Sequence, residues 1–483
     1  MLREAAMQGL QETIEGGIKM SAPIQLHPKN SHYFLFRGKA AVLLTSAEHY
    51  GAVINLDFDY RPYLDALQRY GFNLTRLFSG AYIEREESIK WMGSRNTISP
   101  LPGRFLAPWA RSAETGGLDG CGTFDLDLWD ESYFARLKDF LAEAGKREIV
   151  AEFVFLSQMY NDYNWAASPL NIINNINGVG AIPFDRFTTL DDPVLAERQE
   201  ALIRKVACEL NCFDNLYYEI CNEPNYVEGP GGTADWHDRL IRALSETENS
   251  LPNRHMIAVD YGQAKLFPLL HPEVSVHNVH YAYGDKWVGA LELLEHFPGP
   301  RRALAFDETC DWIWGNTVTG NRLEAWEFIL GGGAVYDHLN WSYTPGDPAG
   351  LQNSENRLFC RQLQILASLM AELDLPALQP NKTFIRGGLP SGVKARALAE
   401  EGRQYAVYLY HARRDAEGRY DLVPGSFQAE LHVDLPAGNY CIVWIDPAAV
   451  TTLAEECVDH PGGPLIVASP VFAADLALKI MRY

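Results

Sequence analysis

The chain has 483 residues, with 62 acidic against 41 basic side chains and a net charge of −21. Nucleic acids and anionic membranes repel so acidic a protein, so we exclude both as partners. The length exceeds one ordinary hydrophobic core, and 47% hydrophobic residues are ample for burial, which predicts one large domain and a smaller one. Composition does not determine the oligomeric state.

The N-terminal segment and the cysteines both bear on the compartment. Residues 1–29 form a polar leader with no apolar run of signal-peptide length, and no uncharged stretch is long enough to span a bilayer. The eight cysteines show no metal-ligand spacing, which favours free, mostly buried thiols in a reducing compartment. We therefore predict a cytoplasmic protein without a metal or cofactor, and Met20 is an alternative start.

A strand-helix-strand unit follows the leader. The stretch HYFLFRGKAAVLLTS predicts a short strand, a turn at Gly38, and an apolar strand that ends near Glu48 and His49. In DYRPYLDALQRYG the apolar residues recur at helical spacing up to the stop at Gly71, and FNLTRLFSG is then a strand whose last turn carries Arg76. This alternation is typical of a parallel sheet.

Two long loops interrupt the alternation. The first runs from Ala81 to about Asp130, and the second covers YNDYNWAASPLNIINNINGVGAIPFDRF. Loops of this length are usually functional or disordered, and their aromatic content favours ordered loops. The aromatic side chains expected to form the walls of a cleft are Trp91, Trp109, Tyr160, Tyr163 and Trp165.

The rest of the chain completes a barrel and adds a second domain. Predicted helices are 193–211, 234–248, about 262–270, 287–296, 321–330 and 354–373, and predicted strands are 215–222, 254–260, 274–281, 302–308 and 332–341. With the helix and strand in ESYFARLKDFLAEAGKREIVAEFVFLS, this makes eight strands, the pattern of an α/β protein with a (β/α)8 TIM barrel over residues 30–375. A doubly wound sheet is the alternative, disfavoured because no glycine-rich phosphate fingerprint follows the first strand. Residues 376–483 contain short β-rich runs between turns, which predicts a C-terminal all-β sandwich.

The active site of such a barrel lies at the C-terminal ends of the strands. The residues that the predicted strands bring there include His49, Arg76, Asn222, Glu223, His280, Tyr281, Glu308 and Trp341. Glu223 on the fourth barrel strand and Glu308 on the seventh face each other across the barrel. Such a pair can hydrolyse a glycosidic bond, because one carboxyl protonates the leaving oxygen while the other meets the positive charge at the anomeric carbon. Asp307 is expected to face away from the site, because side chains alternate along a strand.

The order Arg76, Asn222-Glu223-Pro224, His280, Glu308 and Trp341 resembles that of the clan A retaining glycoside hydrolases, the cellulase-like barrels of family five and their relatives. The resemblance covers about residues 30–375 and assigns no subfamily. It implies that Glu223 is the acid/base and Glu308 the nucleophile.

The same resemblance implies supporting roles for other residues. Arg76 would orient the nucleophile, Asn222 would bind the sugar 2-hydroxyl, and Trp341 would form the floor of the −1 subsite. These families carry His-x-Tyr on the sixth strand, whereas the segment here is His280-Tyr281-Ala282-Tyr283, so either tyrosine is a candidate.

The sequence thus predicts a retaining β-glycosidase that hydrolyses a carbohydrate substrate, an oligosaccharide or glycoside, by double displacement. The alternatives are a non-catalytic carbohydrate-binding barrel and a metal-dependent barrel lyase or aldolase. No metal is expected, because His277 and His280 lie three positions apart on opposite faces of a strand. The sequence does not identify the sugar, the linkage, or exo versus endo action.

Overall fold

The computed structural model describes residues 22–85, 96–224, 232–260, 271–281, 289–296, 302–309, 317–414, 420–423 and 425–483. Trp91, Tyr283 and the helix expected at about 262–270 lie outside these ranges. Within them, no helix combines the length and apolar character needed to cross a membrane.

The first thirteen strands and the helices lie in the larger part of the chain. The strands are β1 (Gln25–Leu26), β2 (Phe34–Phe36), β3 (Lys39–Ala41), β4 (Leu43–Ala47), β5 (Leu74–Phe78), β6 (Trp109–Thr115), β7 (Gly122–Trp129), β8 (Val150–Ser157), β9 (Leu216–Asn222), β10 (Ile257–Asp260), β11 (Val274–His280), β12 (Ala303–Thr309) and β13 (Val335–Leu339). The α-helices are α1 (Tyr60–Arg69), α2 (Glu131–Lys146), α3 (Asp162–Ala167), α4 (Pro193–Leu210), α5 (Ala234–Asn249), α6 (Ala290–His296), α7 (Val318–Leu330) and α8 (Ser354–Ala371).

Eight of these strands form one parallel sheet. Their order is β4-β13-β12-β11-β10-β9-β8-β5, and each hydrogen-bonded pair is parallel. The two end strands meet at Asn73, whose backbone N–H donates to Leu44 O at 3.1 Å and whose Oδ1 accepts from Leu44 N at 2.8 Å. The predicted (β/α)8 barrel is therefore confirmed.

The barrel strands are buried on both faces, which explains their nearly continuous apolar sequences. Polar residues interrupt these runs at Arg76 in β5, Glu152 in β8, Glu219 in β9 and Asn278 in β11, and each is fully buried. Because helices cover the outside of such a barrel, charged residues in the strands are accommodated in its interior.

A small antiparallel sheet of β1, β2 and β3 packs against the opposite end of the barrel from the site. Ile24 and Phe34 share a buried cluster there with Leu43, Leu74 and Val150, which begin barrel strands. Ile24 and β1 belong to the segment predicted as a leader, so its last residues are part of the folded protein.

The two long loops contain more structure than the sequence indicated. The antiparallel hairpin β6–β7 lies in the first, and α3 and a 3-10 turn at Phe184–Arg186 lie in the second. The hairpin buries Trp109 to 1% exposure and stacks it on Trp129. Trp165 is also buried and donates its indole N–H to Ile182 O at 2.7 Å. The expectation that these two tryptophans form the walls of a cleft was wrong, because both rings pack in the interior.

The C-terminal part is a β-sandwich, as predicted. Its strands are β14 (Gln379–Pro380), β15 (Lys394–Glu400), β16 (Gln404–Tyr410), β17 (Ala412–Arg414), β18 (Tyr420–Leu422), β19 (Glu430–Leu435), β20 (Gly438–Asp446), β21 (Thr451–His460), β22 (Gly463–Ala468) and β23 (Asp475–Arg482). An antiparallel sheet in the order β14-β15-β16-β23-β20-β21 packs against the pair β19–β22 around a common apolar core.

The helix α7 joins the sandwich to the barrel. Arg322 on α7 forms a buried bidentate ion pair with Asp475 on β23, at 2.9 Å and 2.8 Å, and Tyr408 donates to the same carboxylate at 2.9 Å. Trp326 stacks on Tyr408 with ring centroids 5.2 Å apart. Because α7 contacts the barrel on one side and the sandwich on the other, its whole circumference is apolar or paired.

The described cysteines are free thiols. Only Cys221 and Cys360 among them are buried, and Cys457 is exposed, so the expectation of mostly buried thiols was wrong.

Candidate active site

Glu223 and Glu308 lie together at the C-terminal end of the barrel. Glu223 directly follows β9, and Glu308 is the penultimate residue of β12. One carboxylate oxygen of each and one ring nitrogen of His280 lie within 4.8 Å of one another. The two carboxyls are only 4% and 7% exposed, so they interact in an environment from which most water is excluded.

Three donors surround the Glu308 carboxyl. Arg76 Nη1 donates to Oε2 at 3.3 Å, Tyr50 OH donates to Oε2 at 3.1 Å, and Tyr281 OH donates to Oε1 at 3.3 Å. Burial and the neighbouring Glu223 charge raise the pKa of Glu308 above its usual value, while His280, Arg76 and the hydrogen bond from Tyr50 oppose that shift. A guanidinium and two hydroxyls that all donate favour the ionised form of this carboxyl.

Glu223 has different surroundings. Tyr160 OH donates to Oε2 at 2.5 Å, His280 Nδ1 lies 2.8 Å from Oε1, and the backbone N–H donates to Asp260 Oδ2 at 2.6 Å. Burial raises the pKa of Glu223 to about 7, although the hydrogen bond from Tyr160 opposes the shift. No guanidinium contacts Glu223 among these partners, so of the two carboxyls it is the one that holds a proton near neutral pH.

Backbone strain is concentrated at this site. Tyr50, Glu223 and Tyr281 adopt φ angles of 56°, 47° and 61°, each just beyond the end of a barrel strand. Non-glycine residues are uncommon in this left-handed region, and such strain clusters at functional sites. The strained residues are thus one member of the carboxyl pair, Glu223, and the two tyrosines that donate to the other member, Glu308.

The other residues expected in the site occupy distinct positions. Asn222 donates from Nδ2 to Tyr160 OH at 2.9 Å and to Ser157 Oγ at 3.2 Å, while its buried Oδ1 has no protein partner among the described residues. His49 Nδ1 lies 2.7 Å from Asn96 Nδ2, and its ring lies 6.2 Å from that of Trp341. Burial lowers the pKa of His49 to about 3, so its ring is neutral.

Arg76 occupies the centre of a buried polar layer. Its Nη2 lies 2.5 Å from Glu219 Oε2 and 3.5 Å from Asp307 Oδ2, and its Nε lies 3.7 Å from Glu152 Oε2. Asn278 Nδ2 donates to Glu152 at 2.7 Å and to Glu219 at 3.2 Å. One guanidinium thus faces several carboxyls. Burial raises the pKa of Glu152 to about 8 and the pKa of Asp307 well above its usual range, which favours the neutral forms of these two groups.

Asp307 does not face away from the site, so that expectation was wrong. Both Asp307 and Glu308 contact Arg76, because the pairing of β12 is irregular between Phe306 and Thr309 and opposite Asn278 and His280. A register irregularity breaks the strict alternation of side chains.

Two groups of side chains are close enough to hold a metal ion. One consists of Glu223, His280 and Glu308, and the other of Glu152, Glu219 and Asp307. In the first group, His280 Nδ1 lies 2.8 Å from Glu223 Oε1. In the second, Arg76 Nη2 lies 2.5 Å from Glu219 Oε2, and Asn278 Nδ2 donates to Glu152 Oε1 at 2.7 Å. His277 contributes to neither, because its Nε2 lies 3.0 Å from Arg302 Nη1.

Comparison with known proteins identifies the fold. A scan against protein-family models finds no match, and a search of curated proteins finds none either. A candidate glycoside hydrolase from Bacteroides vulgatus ATCC 8482 aligns with a TM-score of 0.65 and 14% identity, over 96% of this chain and 82% of its own. A structure described as a glycoside hydrolase aligns with a TM-score of 0.60 and 12% identity, over 95% of this chain and 97% of its own. A family 5 glycoside hydrolase from the same Bacteroides strain aligns with a TM-score of 0.58 and 12% identity, over 96% of this chain and 95% of its own.

At these identities, the likeness establishes a shared fold. It extends over the barrel and the β-sandwich together, since nearly the whole chain is covered in each alignment.

Sequence reasoning missed several residues of the site. Tyr50 and Asp260 follow or end barrel strands, so the rule that selected Glu223 also applies to them. Glu152 and Glu219 are isolated acidic residues in apolar strands, a signal that could have identified them. Tyr160 was expected only in the cleft wall, and it instead contacts Glu223 directly.

Another carboxyl, that of Glu84, interacts with the pair through its charge. Tyr82 OH donates to Glu84 Oε1 at 3.0 Å, and the Tyr82 ring contacts that of Tyr160. Burial raises the pKa of Glu84 to about 7, and the charges of Glu308 and Glu223 contribute. Glu84 lines a cavity of about 390 Å³ between the loops after β5 and β8. Other lining residues are Ser99, Leu101, Phe105, Leu118, Phe124 and Asn174.

Proposed function

We propose that this protein is a retaining β-glycosidase, with Glu308 as nucleophile and Glu223 as acid/base. The observation that supports this most directly is the approach of the two carboxyls, with one oxygen of each within 4.8 Å. Carboxyl groups of retaining enzymes lie about 5–5.5 Å apart, whereas those of inverting enzymes lie about 6.5–9.5 Å apart to admit a water molecule. The descriptions of the similar solved structures, all glycoside hydrolases, support the same reaction class.

In the first step, the Glu308 carboxylate attacks the anomeric carbon while Glu223 donates its proton to the leaving oxygen. Arg76, Tyr50 and Tyr281 hold the Glu308 carboxylate in position and ionised. The product is a glycosyl ester on Glu308 and a free alcohol.

In the second step, Glu223 acts as the base. Its carboxylate takes a proton from water, the water oxygen attacks the anomeric carbon, and the bond to Glu308 breaks. Two inversions give net retention. The free Asn222 Oδ1 can accept a hydrogen bond from a sugar hydroxyl, and Trp341 and His49 supply an aromatic wall.

The test is turnover of a panel of aryl β-glycosides, with azide rescue of two variants. Glu308→Ala should abolish turnover, and azide should restore it with inverted configuration because azide replaces the nucleophile. Glu223→Ala should retain cleavage of substrates with good leaving groups, and azide should give a product of retained configuration. Glu197→Ala, an exposed carboxyl on α4, serves as the control.

Other results would select the alternatives. Sugar binding without turnover on any substrate of the panel would indicate a non-catalytic carbohydrate-binding barrel. Activity that appears only on addition of a divalent metal would indicate a metal-dependent barrel lyase or aldolase.

A further inference from the structure

His280 lies between Glu223 and two other buried carboxyls. Its Nδ1 is 2.8 Å from Glu223 Oε1, and its Nε2 is 3.5 Å from both Asp260 Oδ2 and Asp307 Oδ1. These carboxyls come from three different strands, β9, β10 and β12. The imidazole therefore lies between Glu223 on one side and Asp260 and Asp307 on the other.

The atoms on the far side of the ring lack hydrogen bonds. His280 Nε2, Asp260 Oδ1 and both Asp307 oxygens are buried and have no hydrogen-bond partner among the described residues, although Asp307 Oδ2 forms an ion pair with Arg76 at 3.5 Å. Leaving buried polar atoms unpaired costs free energy, so this arrangement calls for an explanation. A separation of 3.5 Å leaves no room for a water molecule, but catalytic hydrogen bonds are often long before substrate binds and shorten afterwards.

We propose that Asp260 and Asp307, acting through His280, form a proton relay behind Glu223. This inference rests on the proposed function, and it assigns Asp260 and Asp307 as positioning residues that touch no substrate. Asp260 has the additional task of fixing the strained backbone of Glu223, whose N–H it accepts at 2.6 Å.

The relay conserves protons and charge. Before reaction, Glu223 is protonated, His280 is neutral with its proton on Nδ1, and one of the two aspartic acids donates its proton to Nε2. As Glu223 passes its proton to the leaving oxygen, the aspartic acid transfers its own proton to Nε2. The resulting imidazolium donates from Nδ1 to the new Glu223 carboxylate, and the negative charge is shared with the aspartate. Both protons return when Glu223 deprotonates water.

The electrostatic surroundings agree with this resting state. Burial raises the pKa of Asp260 and of Asp307 well above the usual range, and it lowers the pKa of His280 to about 4. The other charged groups facing the ring are Glu308, Glu219 and Arg76. Arg76 opposes protonation of His280, while Glu308 and Glu219 favour it.

The test uses Asp260→Asn and Asp307→Asn, which preserve shape but cannot give up a proton. In Asp260→Asn, the side-chain carbonyl can still accept from the Glu223 N–H. Without the relay, the Glu223 carboxylate is less stabilised and Glu223 is a weaker acid. We expect kcat/KM to fall about tenfold on phenyl glycosides, whose leaving groups need protonation, with little change on dinitrophenyl glycosides. Equal losses on both substrates would overturn the relay, because a structural defect would affect both.

A measurement on the free protein separates this inference from the proposed function. With ¹⁵N-labelled histidine, the ring nitrogens of His280 can be followed as the pH rises, with assignment from His280→Asn. In the wild type, His280 should gain a proton as Glu223 loses one, the reverse of ordinary histidine titration. In a variant that combines Asp260→Asn and Asp307→Asn, the ring of His280 should stay neutral. Asp337→Asn, a buried carboxyl on β13, is the matched control and should behave as wild type. Loss of a proton from His280 with rising pH in the wild type would refute the relay whether or not glycosides are hydrolysed.

Discussion

Removal of the Tyr160 hydroxyl should change the pH dependence of catalysis in a defined direction. Tyr160 OH accepts from Asn222, so its own proton points to Glu223 Oε2, 2.5 Å away. That hydrogen bond favours the carboxylate and lowers the pKa of Glu223, which burial raises to about 7. Tyr160→Phe removes this hydrogen bond, so the pKa of Glu223 should rise.

The magnitude follows from the strength of the lost bond. A hydrogen bond to a charged group contributes about 1.5–3 kcal/mol, and one pKa unit corresponds to about 1.4 kcal/mol. Glu223 is only 4% exposed, so water does not replace the lost donor fully. We expect the basic limb of the kcat/KM profile to move up by about one unit or more.

The assay is kcat/KM for an aryl β-glycoside across the pH range, with Tyr163→Phe as the control. Tyr163 lies on the same loop and is 65% exposed, so its variant should match the wild type. Asn222 keeps its bond to Ser157, so the fold should tolerate Tyr160→Phe. A basic limb that stays in place or moves down would show that Tyr160 does not control the ionisation of Glu223.

Four other changes test separate parts of the structure. Arg76→Met leaves buried carboxyls without their cation, and urea denaturation should show a loss of about 3–5 kcal/mol in the free energy of unfolding; unchanged stability would contradict the buried network. Burial raises the pKa of Glu48 from 4.5, its value in an unfolded chain, to about 8 in the folded protein. The protonated Glu48 carboxyl therefore stabilises the fold fully below pH 4.5, and this stabilisation is lost as the pH rises through about 8. Between pH 4.5 and about 8, Glu48→Gln should therefore remove a slope of about 1.4 kcal/mol per pH unit from the free energy of unfolding. Thermal melts at several pH values measure this slope, and an unaltered slope would contradict the raised pKa of Glu48. Trp341→Ala should lower kcat/KM at least about tenfold through loss of the aromatic wall, and wild-type kinetics would exclude Trp341 from the subsite. Asp475→Ala breaks the ion pair with Arg322 and should lower the free energy of unfolding by about 3 kcal/mol without changing kcat/KM. A catalytic defect in the folded variant would contradict a purely structural role of this ion pair.

Some expectations remain predictions. The cytoplasmic location, the exclusion of nucleic acid, the domain limits at 29 and 375, and the catalytic roles of Glu223 and Glu308 await experiment. Among the described residues, Tyr281 donates its hydroxyl to Glu308, and Tyr283 lies outside them.

The sequence by itself determined the architecture and the carboxyl pair. Buried parallel strands need apolar runs, helices need their own spacing, and polar residues that end such runs lie at one end of the barrel. Glu223 and Glu308 could be selected on that basis because both are local features of single strands.

Only the tertiary structure decided what surrounds the pair. Asp307 shares the site with Glu308 because of a register irregularity between neighbouring strands, which no single strand reveals. Asp260 contacts Glu223 and approaches His280 because β9, β10 and β11 are adjacent in the sheet. The ionisation of each carboxyl depends on burial and on donors from distant parts of the chain, such as Arg76 and Tyr160. Interactions of this kind form only when the barrel closes, so the spacing of residues along the chain does not encode them directly.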